Sequence, residues 1–312
     1  MRVAVFGTGG VGGYFGGRLA QAGVSVAFVA RGPHLAAIRR EGLQVESVAG
    51  DFVVRPAEAT DDPGTLGVVD VVLLGVKAWQ VTEAAGSIRP LLGPATAVLP
   101  LQNGVEAADE LAAIVGRGHV LGGLCRIMAE VAGPGRIRHG GVAPRIEFAE
   151  LDGRPSERVA ALRAAFERAE GVGVNVPEDI QAALWGKFLF IAPISGVGAV
   201  TRAPAGVVRS IPETRRVLEA AMGEIHALAR ARRVALPDDA VARTMAYIDG
   251  LPADVTASMQ RDILEGRPSE LDYQNGTVVR LGRQAGVPVP VNECLYGSLL
   301  PAELKARGAL PG

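Results

Sequence analysis

Lys187 lies in the run Leu184-Trp185-Gly186-Lys187-Phe188-Leu189-Phe190-Ile191, which holds no other charge. Lysine is rarely buried without a partner. If the ammonium is buried, desolvation lowers its pKa and suits it to passing a proton near neutral pH. If the head reaches water along the helix flank, the residue is a snorkelling lysine. The run alone leaves both readings open. Further on, Ser258-Met259-Gln260-Arg261-Asp262 puts Ser258 and Asp262 one helical turn apart, on one face. The stretch Glu270-Leu271-Asp272-Tyr273-Gln274-Asn275-Gly276 carries two carboxylates. Glu270 and Asp272 are expected near a helix start, with Ser269 as its cap and the dipole favouring the acids. That placement alone would explain Glu270 structurally.

A second kind of chemistry stands at the N-terminus. Gly7-Thr8-Gly9-Gly10-Val11-Gly12 fits G-x-G-x-x-G, follows the apolar run Val3–Phe6 and opens a helical pattern. In that setting Gly7 permits a tight turn, Gly9 lets backbone approach a pyrophosphate, and Gly12 lets helix and strand pack closely. The helix N-terminus offers free N–H groups to the phosphates. An NAD-binding unit places an acid ~20 residues beyond the glycines, at the end of the second strand. This chain has no Asp or Glu before Glu41 and carries Arg31 at that point. A guanidinium there suits the extra phosphate of NADP, so NADPH is the expected cofactor; a solvated surface arginine is the plainer reading. The missing acid also argues against a methyltransferase that would hold SAM on the same loop. Lys77 and Asn103 stand just beyond two further apolar strand candidates, at the sheet edge where ligands bind in open α/β folds. Exposure to water would explain Lys77 equally well, and Asn-Gly turn chemistry would explain Asn103.

The elements that must hold these residues alternate in the first half. Strands are expected at Val3–Phe6, Val24–Val29, Val68–Val76 and Ala97–Leu101, with helices at Val11–Ala22 and Leu35–Glu41. A hairpin is expected over Val45–Val54, and further strands over Val120–Glu150. Strand–helix alternation predicts a Rossmann-type parallel sheet covered on both faces. After the helix Pro155–Glu170 the pattern turns helical: Ile180–Ile191, Pro212–Arg232, Pro237–Asp249, Ala257–Glu265, Ser269–Ala285 and Asn292–Arg307. The expected class is α/β with a C-terminal all-α domain, divided into 1–178 for the nucleotide and 179–312 for substrate and catalysis.

Bulk properties narrow the field. The 312 residues include 48% hydrophobic and 21% charged residues, enough for a substantial core. A nucleic-acid binder usually shows a basic face, and a formal net charge of -1 does not call for one. Cys125 and Cys294 are far apart, which fits a reducing cytoplasm and no disulfide framework. His34, His119, His139 and His226 are scattered without metal-ligand spacing. No signal-peptide pattern is present, and Phe188–Val200, with its proline and glycines, reads as buried helix and turn rather than a membrane span. Monomer and homodimer both remain open.

Taken together, Gly7-x-Gly9-x-x-Gly12, Arg31, Lys77-Ala78-Trp79-Gln80, Gln102-Asn103-Gly104, Leu184-Trp185-x-Lys187, Ser258-Met259-x-x-Asp262 and Glu270-x-Asp272-Tyr273-x-Asn275-Gly276 resemble the ketopantoate reductase (2-dehydropantoate 2-reductase) family. They fall in family order over nearly the whole chain. The resemblance implies a Rossmann domain with a helical domain, and NADPH-dependent reduction of ketopantoate to pantoate in pantothenate and coenzyme A biosynthesis, in a cleft that closes on its ligands. It implies Lys187 as general acid and Asn103 at nicotinamide or substrate. It gives Lys77 and Arg31 to the adenosine phosphates, and the Ala129 backbone to the cofactor. Ser258 would take the substrate carboxylate and Glu270 would orient cofactor or substrate hydroxyls. The chain departs where the family carries substrate asparagines: here stand Ile191, Ser195 and Ala205. Ser195 can still hydrogen-bond; the other two side chains cannot. Loss of such partners changes what a site accepts. Reduction of another small 2-oxo acid is therefore the second reading, and a non-catalytic NADPH sensor the third.

Overall fold

The structure is a computed structural model and describes residues 1–310; Pro311 and Gly312, the end of the expected 179–312 domain, lie outside the described residues. In chain order the first half runs β1 (Arg2–Phe6), α1 (Gly10–Gln21), β2 (Ser25–Val29), α2 (Gly32–Glu41), β3 (Leu43–Ser47), β4 (Phe52–Val54), β5 (Glu58–Thr60), β6 (Val71–Leu74), α3 (Val81–Ser87), β7 (Ala97–Pro100), α4 (Ala107–Val115), β8 (Leu121–Gly133), β9 (Arg136–Glu150), α5 (Glu157–Glu167) and β10 (Gly173–Asn175). The second half is helical: α6 (Ile180–Thr201), α7 (Ala205–Ser210), α8 (Pro212–Ala231), α9 (Ala240–Asp249), α10 (Ser258–Leu264), α11 (Asn275–Ala285) and α12 (Pro290–Ala306). Two compact units result: one is Met1–Gln102 with Glu106–Ile180, the other Asn103–Val105 with the chain from Gln181 onward.

The first unit holds a wholly parallel sheet in the order β5-β2-β1-β6-β7. Its strands send alternate side chains to opposite faces. Val3, Val5, Val26, Phe28, Val71 and Leu73 pack with Tyr14, Phe15 and Leu19 of α1 and with Leu162 and Phe166 of α5. Ala4, Phe6, Ala27, Val29, Val72 and Leu74 pack on the other face with α3 and α4. Both faces are covered, which explains why these strands read as continuous apolar runs. A second sheet joins the β8–β9 hairpin to β3, β4 and β10. The β3–β4 hairpin is antiparallel, and β3 lies parallel to β9, a pairing that spans some ninety residues and has no local signal. Arg18 of α1, 1% exposed, donates to the carbonyls of Ala49 and Gly50 and lies 4.3 Å from the Phe52 ring centre, tying that hairpin to α1.

The second unit is built around α6, and here two expectations are corrected. The helix does not end at Ile191 in a turn; it runs unbroken through Pro193 to Thr201. Ala192 to Ala199 are all buried, so packing outweighs the loss of one backbone hydrogen bond. α6 is long and apolar enough by length and composition to cross a membrane, but 72% of its most apolar window is buried inside the fold, as for a core helix. The second correction concerns 269–274, expected as the start of a helix. These residues form turns, and α11 begins at Asn275. The Ser269 hydroxyl accepts from Leu271 N–H within that turn instead of capping a helix.

Candidate functional site

In the first unit the glycine turn is fixed by the end of β2. Gly7 sits at φ +94, a conformation that disfavours any side chain. Gly7 and Thr8 both donate backbone N–H to Val29 O, at 3.3 and 3.2 Å, and the Thr8 hydroxyl joins them at 3.0 Å. A side chain at Gly12 would collide with Gly7 O, so the close strand–helix packing is real. Gly10 touches the backbone of Ala129 in the same way, which brings Ala129 of β8 to the glycine turn. At Gly9 a Cβ would meet nothing within 4 Å, so the backbone there lies open to a ligand. α1 has no side-chain cap at Gly9 and no acid in its first turn. Its leading N–H groups, Val11 included, thus suit an anion, and this much of the chain fits a dinucleotide pyrophosphate.

His34 was scattered in the sequence and is placed with purpose in the fold. Its Nδ1 accepts from Gly135 N–H at 3.0 Å, so its Nε2 carries hydrogen and donates to Thr8 O at 2.8 Å. The imidazole thus joins the glycine turn to the β8–β9 turn. Arg31, just beyond β2, is exposed and pairs at 3.8 Å with Glu83 of α3; two such solvated charges are worth at most ~1 kcal/mol to each other. Lys77 follows β6, and its ammonium sits 5.7 Å from the Trp79 ring centre. Gln102 donates to Leu74 O and Val76 O at 2.9 and 2.8 Å, locking the end of β7 to the segment that leads to Lys77. Gln102 stood in the Gln102-Asn103-Gly104 piece without a role of its own, and no local pattern announced His34 or Glu83, because each acts on a distant segment.

In the second unit Lys187 is only 8% exposed, so most of the residue is packed inside the helical core. Its neighbours Trp185 and Phe188 pack edge to face, 5.8 Å between ring centres. Glu270 is 5% exposed and accepts from Asn103 Nδ2 at 2.9 Å, so two expected site residues 167 positions apart are brought together. The backbone leading into Glu270 is clamped by Glu303 of α12, 1% exposed, whose carboxylate accepts from Ser269 N–H and hydroxyl and from Arg307. Arg307 closes the loop by donating to Ser269 O at 2.8 Å. Ser258 opens α10, held to α6 by Gln260, whose amide donates to Gly198 O and Ala203 O at 3.1 and 2.9 Å.

The positions that depart from the family pattern differ in kind. Ser195 is fully buried on α6, and its hydroxyl has no hydrogen-bond partner among the described residues. Ala205 is 2% exposed and spends its N–H on Val255 O, so it packs in the helical core. Ile191 is half-buried. Glu303 went unnoticed in the sequence, for a buried acid on a helix has no distinguishing spacing, and Gln260 was quoted there without a role.

A parallel sheet whose carboxyl edge carries an uncapped glycine turn defines the dinucleotide-binding class of α/β proteins. Comparison with known proteins narrows that class. The family model described as "Ketopantoate reductase PanE/ApbA" matches residues 3–153, and its C-terminal counterpart matches 179–303. A 2-dehydropantoate 2-reductase of Mesorhizobium japonicum is 32% identical over 93% of this chain and 94% of its own. An uncharacterized oxidoreductase of Bacillus subtilis, YkpB, is 28% identical over 96% of this chain and 98% of its own. The crystal structure of a PanE/ApbA family ketopantoate reductase from Ralstonia eutropha superposes with a TM-score of 0.88 at 35% identity, covering 98% of this chain and 100% of that one. The chain belongs to the ketopantoate reductase family, oxidoreductases acting between a carbonyl and an alcohol.

Proposed function

We propose that this protein is a cytoplasmic NADPH-dependent 2-oxo acid reductase, and that ketopantoate, reduced to pantoate, is its substrate. Residues 1–178 serve the nucleotide and 179–312 serve substrate and proton transfer. The observation that carries the reading is the buried Lys187. Of the 32 Lys and Arg residues only Lys77, Lys187 and Lys305 are lysines. The chain uses arginine almost everywhere a fixed positive charge will do. It keeps an amine, which can give up a proton, in its most apolar helix.

In this reading the N–H groups from Gly9 to Gly12 hold the pyrophosphate, with Gly7 and Thr8 setting the turn. Arg31 and Lys77 take the adenosine phosphates, and the Ala129 backbone borders the same ligand. When bound, the nicotinamide supplies a hydride to the C2 carbonyl. Lys187 polarises the carbonyl oxygen and then gives it a proton. Ser258 donates to the substrate carboxylate, and Ser195 offers a hydroxyl to the substrate's polar tail. Glu270 and Asn103, already joined, orient the hydroxyl groups of cofactor or substrate.

Ile191 and Ala205, which replace hydrogen-bonding residues, support a second reading in which another small 2-oxo acid is the true substrate. Steady-state kinetics with ketopantoate and a panel of 2-oxo acids, against NADPH and NADH, separates the two. The expected result is the highest kcat/KM for ketopantoate with NADPH. Turnover confined to another 2-oxo acid establishes the second reading, and tight NADPH binding without turnover of any acid defeats both.

A further inference from the structure

We infer that Glu83 sets the preference of this enzyme between NADPH and NADH; this rests on the proposed role of Arg31 at the ribose 2′ position. By sequence, the acid that normally reads the ribose 2′-hydroxyl is missing from the end of β2, and Arg31 stands there instead. In space the acid is supplied from elsewhere. Glu83, in the first turn of α3, brings its carboxylate to 3.8 Å from the Arg31 guanidinium. α3 and β2 are both in the first unit, and Arg31 caps α2 with an extended backbone at φ -134, ψ 160.

The separation of 3.8 Å is beyond hydrogen-bonding distance, and the side chains are 71% and 69% exposed. The two groups are thus held by charge alone in open solvent, where a ligand reaches either of them and parts them easily. One carboxylate then acts with opposite sign on the two cofactors. A 2′-phosphate seated on Arg31 must displace Glu83 and lie beside its negative charge. A 2′-hydroxyl in the same place finds in Glu83 the acceptor that the end of β2 lacks. Glu83 therefore weakens NADPH, strengthens NADH, and narrows the gap between them. Glu83 also suits a helix first turn, but that role is indifferent to which cofactor binds.

The test is a fluorescence titration of the purified full chain with NADPH and with NADH, for wild type, Glu83→Gln and Arg31→Ala, at low and at 0.5 M salt. Glu83→Gln keeps the shape and removes the charge. We expect NADPH to bind about three- to tenfold tighter and NADH about threefold weaker, with the NADPH gain shrinking in high salt. A ratio of the two dissociation constants within twofold of wild type overturns the inference. Equal NADPH affinity in Arg31→Ala and wild type removes the Arg31 reading beneath it, an outcome that Glu83→Gln alone cannot produce.

Discussion

The nucleotide end of the first unit and the core of the second solve the same problem, holding charge in place, by opposite means. At the glycine turn the work falls to backbone: N–H groups of Gly7 and Thr8 on Val29 O, an open Gly9, and packing at Gly10 and Gly12. The cations nearby, Arg31 and Lys77, are exposed. In the helical unit the charges themselves are buried, with Lys187 at 8%, Glu270 at 5% and Glu303 at 1% exposure. Exposed cations over a rigid backbone tune affinity and cost the fold little. Buried charges need partners on every side, so function and stability become the same property there.

The contrast can be broken most directly at Lys187. Lys187→Ala should lower turnover by about 10²- to 10⁴-fold, with NADPH affinity changed by no more than about threefold. NADPH oxidation rates and a binding titration check it; an active variant would place proton transfer elsewhere. Glu303→Ala should cost about 3 kcal/mol or more in urea unfolding, since it strands Arg307 and two donors of Ser269. It should also lower kcat, as the turn that carries Glu270 loses its clamp. If stability drops and kcat holds, Glu303 is structural only.

Two glycines sharpen the other side. Gly12→Ala, forced against Gly7 O, should destabilise by about 2 kcal/mol. Gly9→Ala has open space around it and should leave the unfolding midpoint unchanged while weakening NADPH about tenfold or more. Equal effects of the two substitutions would mean that the turn is not read by a ligand. The smallest effect expected is an acid one, away from both sites. Burial pushes the Glu150 carboxyl up, but hydrogen bonds from Arg158 and Ser156, with the Arg158 charge, outweigh it and hold it below the ordinary carboxylate range. The folded state therefore gains from an ionised Glu150 above the unfolded value, and loses that gain progressively as the pH falls from the unfolded value through the lowered folded one. Glu150→Gln should flatten the pH dependence of thermal unfolding below pH 5.

The sheet and the glycine turn were legible because their signals are local: alternation of strand and helix, and six consecutive residues with one meaning. The extent of α6 was not, since Pro193 is a local stop signal that burial overrides. The turn at 269–274 was misread as helix because Glu and Asp near a Ser fit a helix start, while the real organiser, Glu303, lies over thirty residues away. The Asn103–Glu270 pair shows the same limit. Each residue was picked out alone, yet only the fold could show that they touch.

Asn103–Val105 group with the helical unit although the chain on both sides of them belongs to the sheet unit. The polypeptide thus passes from one unit to the other three times. A gene cut after residue 178 does not yield two self-sufficient proteins: the shorter product lacks a piece of itself, including the amide that Glu270 accepts from. Recombining such pieces, or grafting this helical half onto a foreign nucleotide-binding scaffold, requires the acceptor to supply that tripeptide as well.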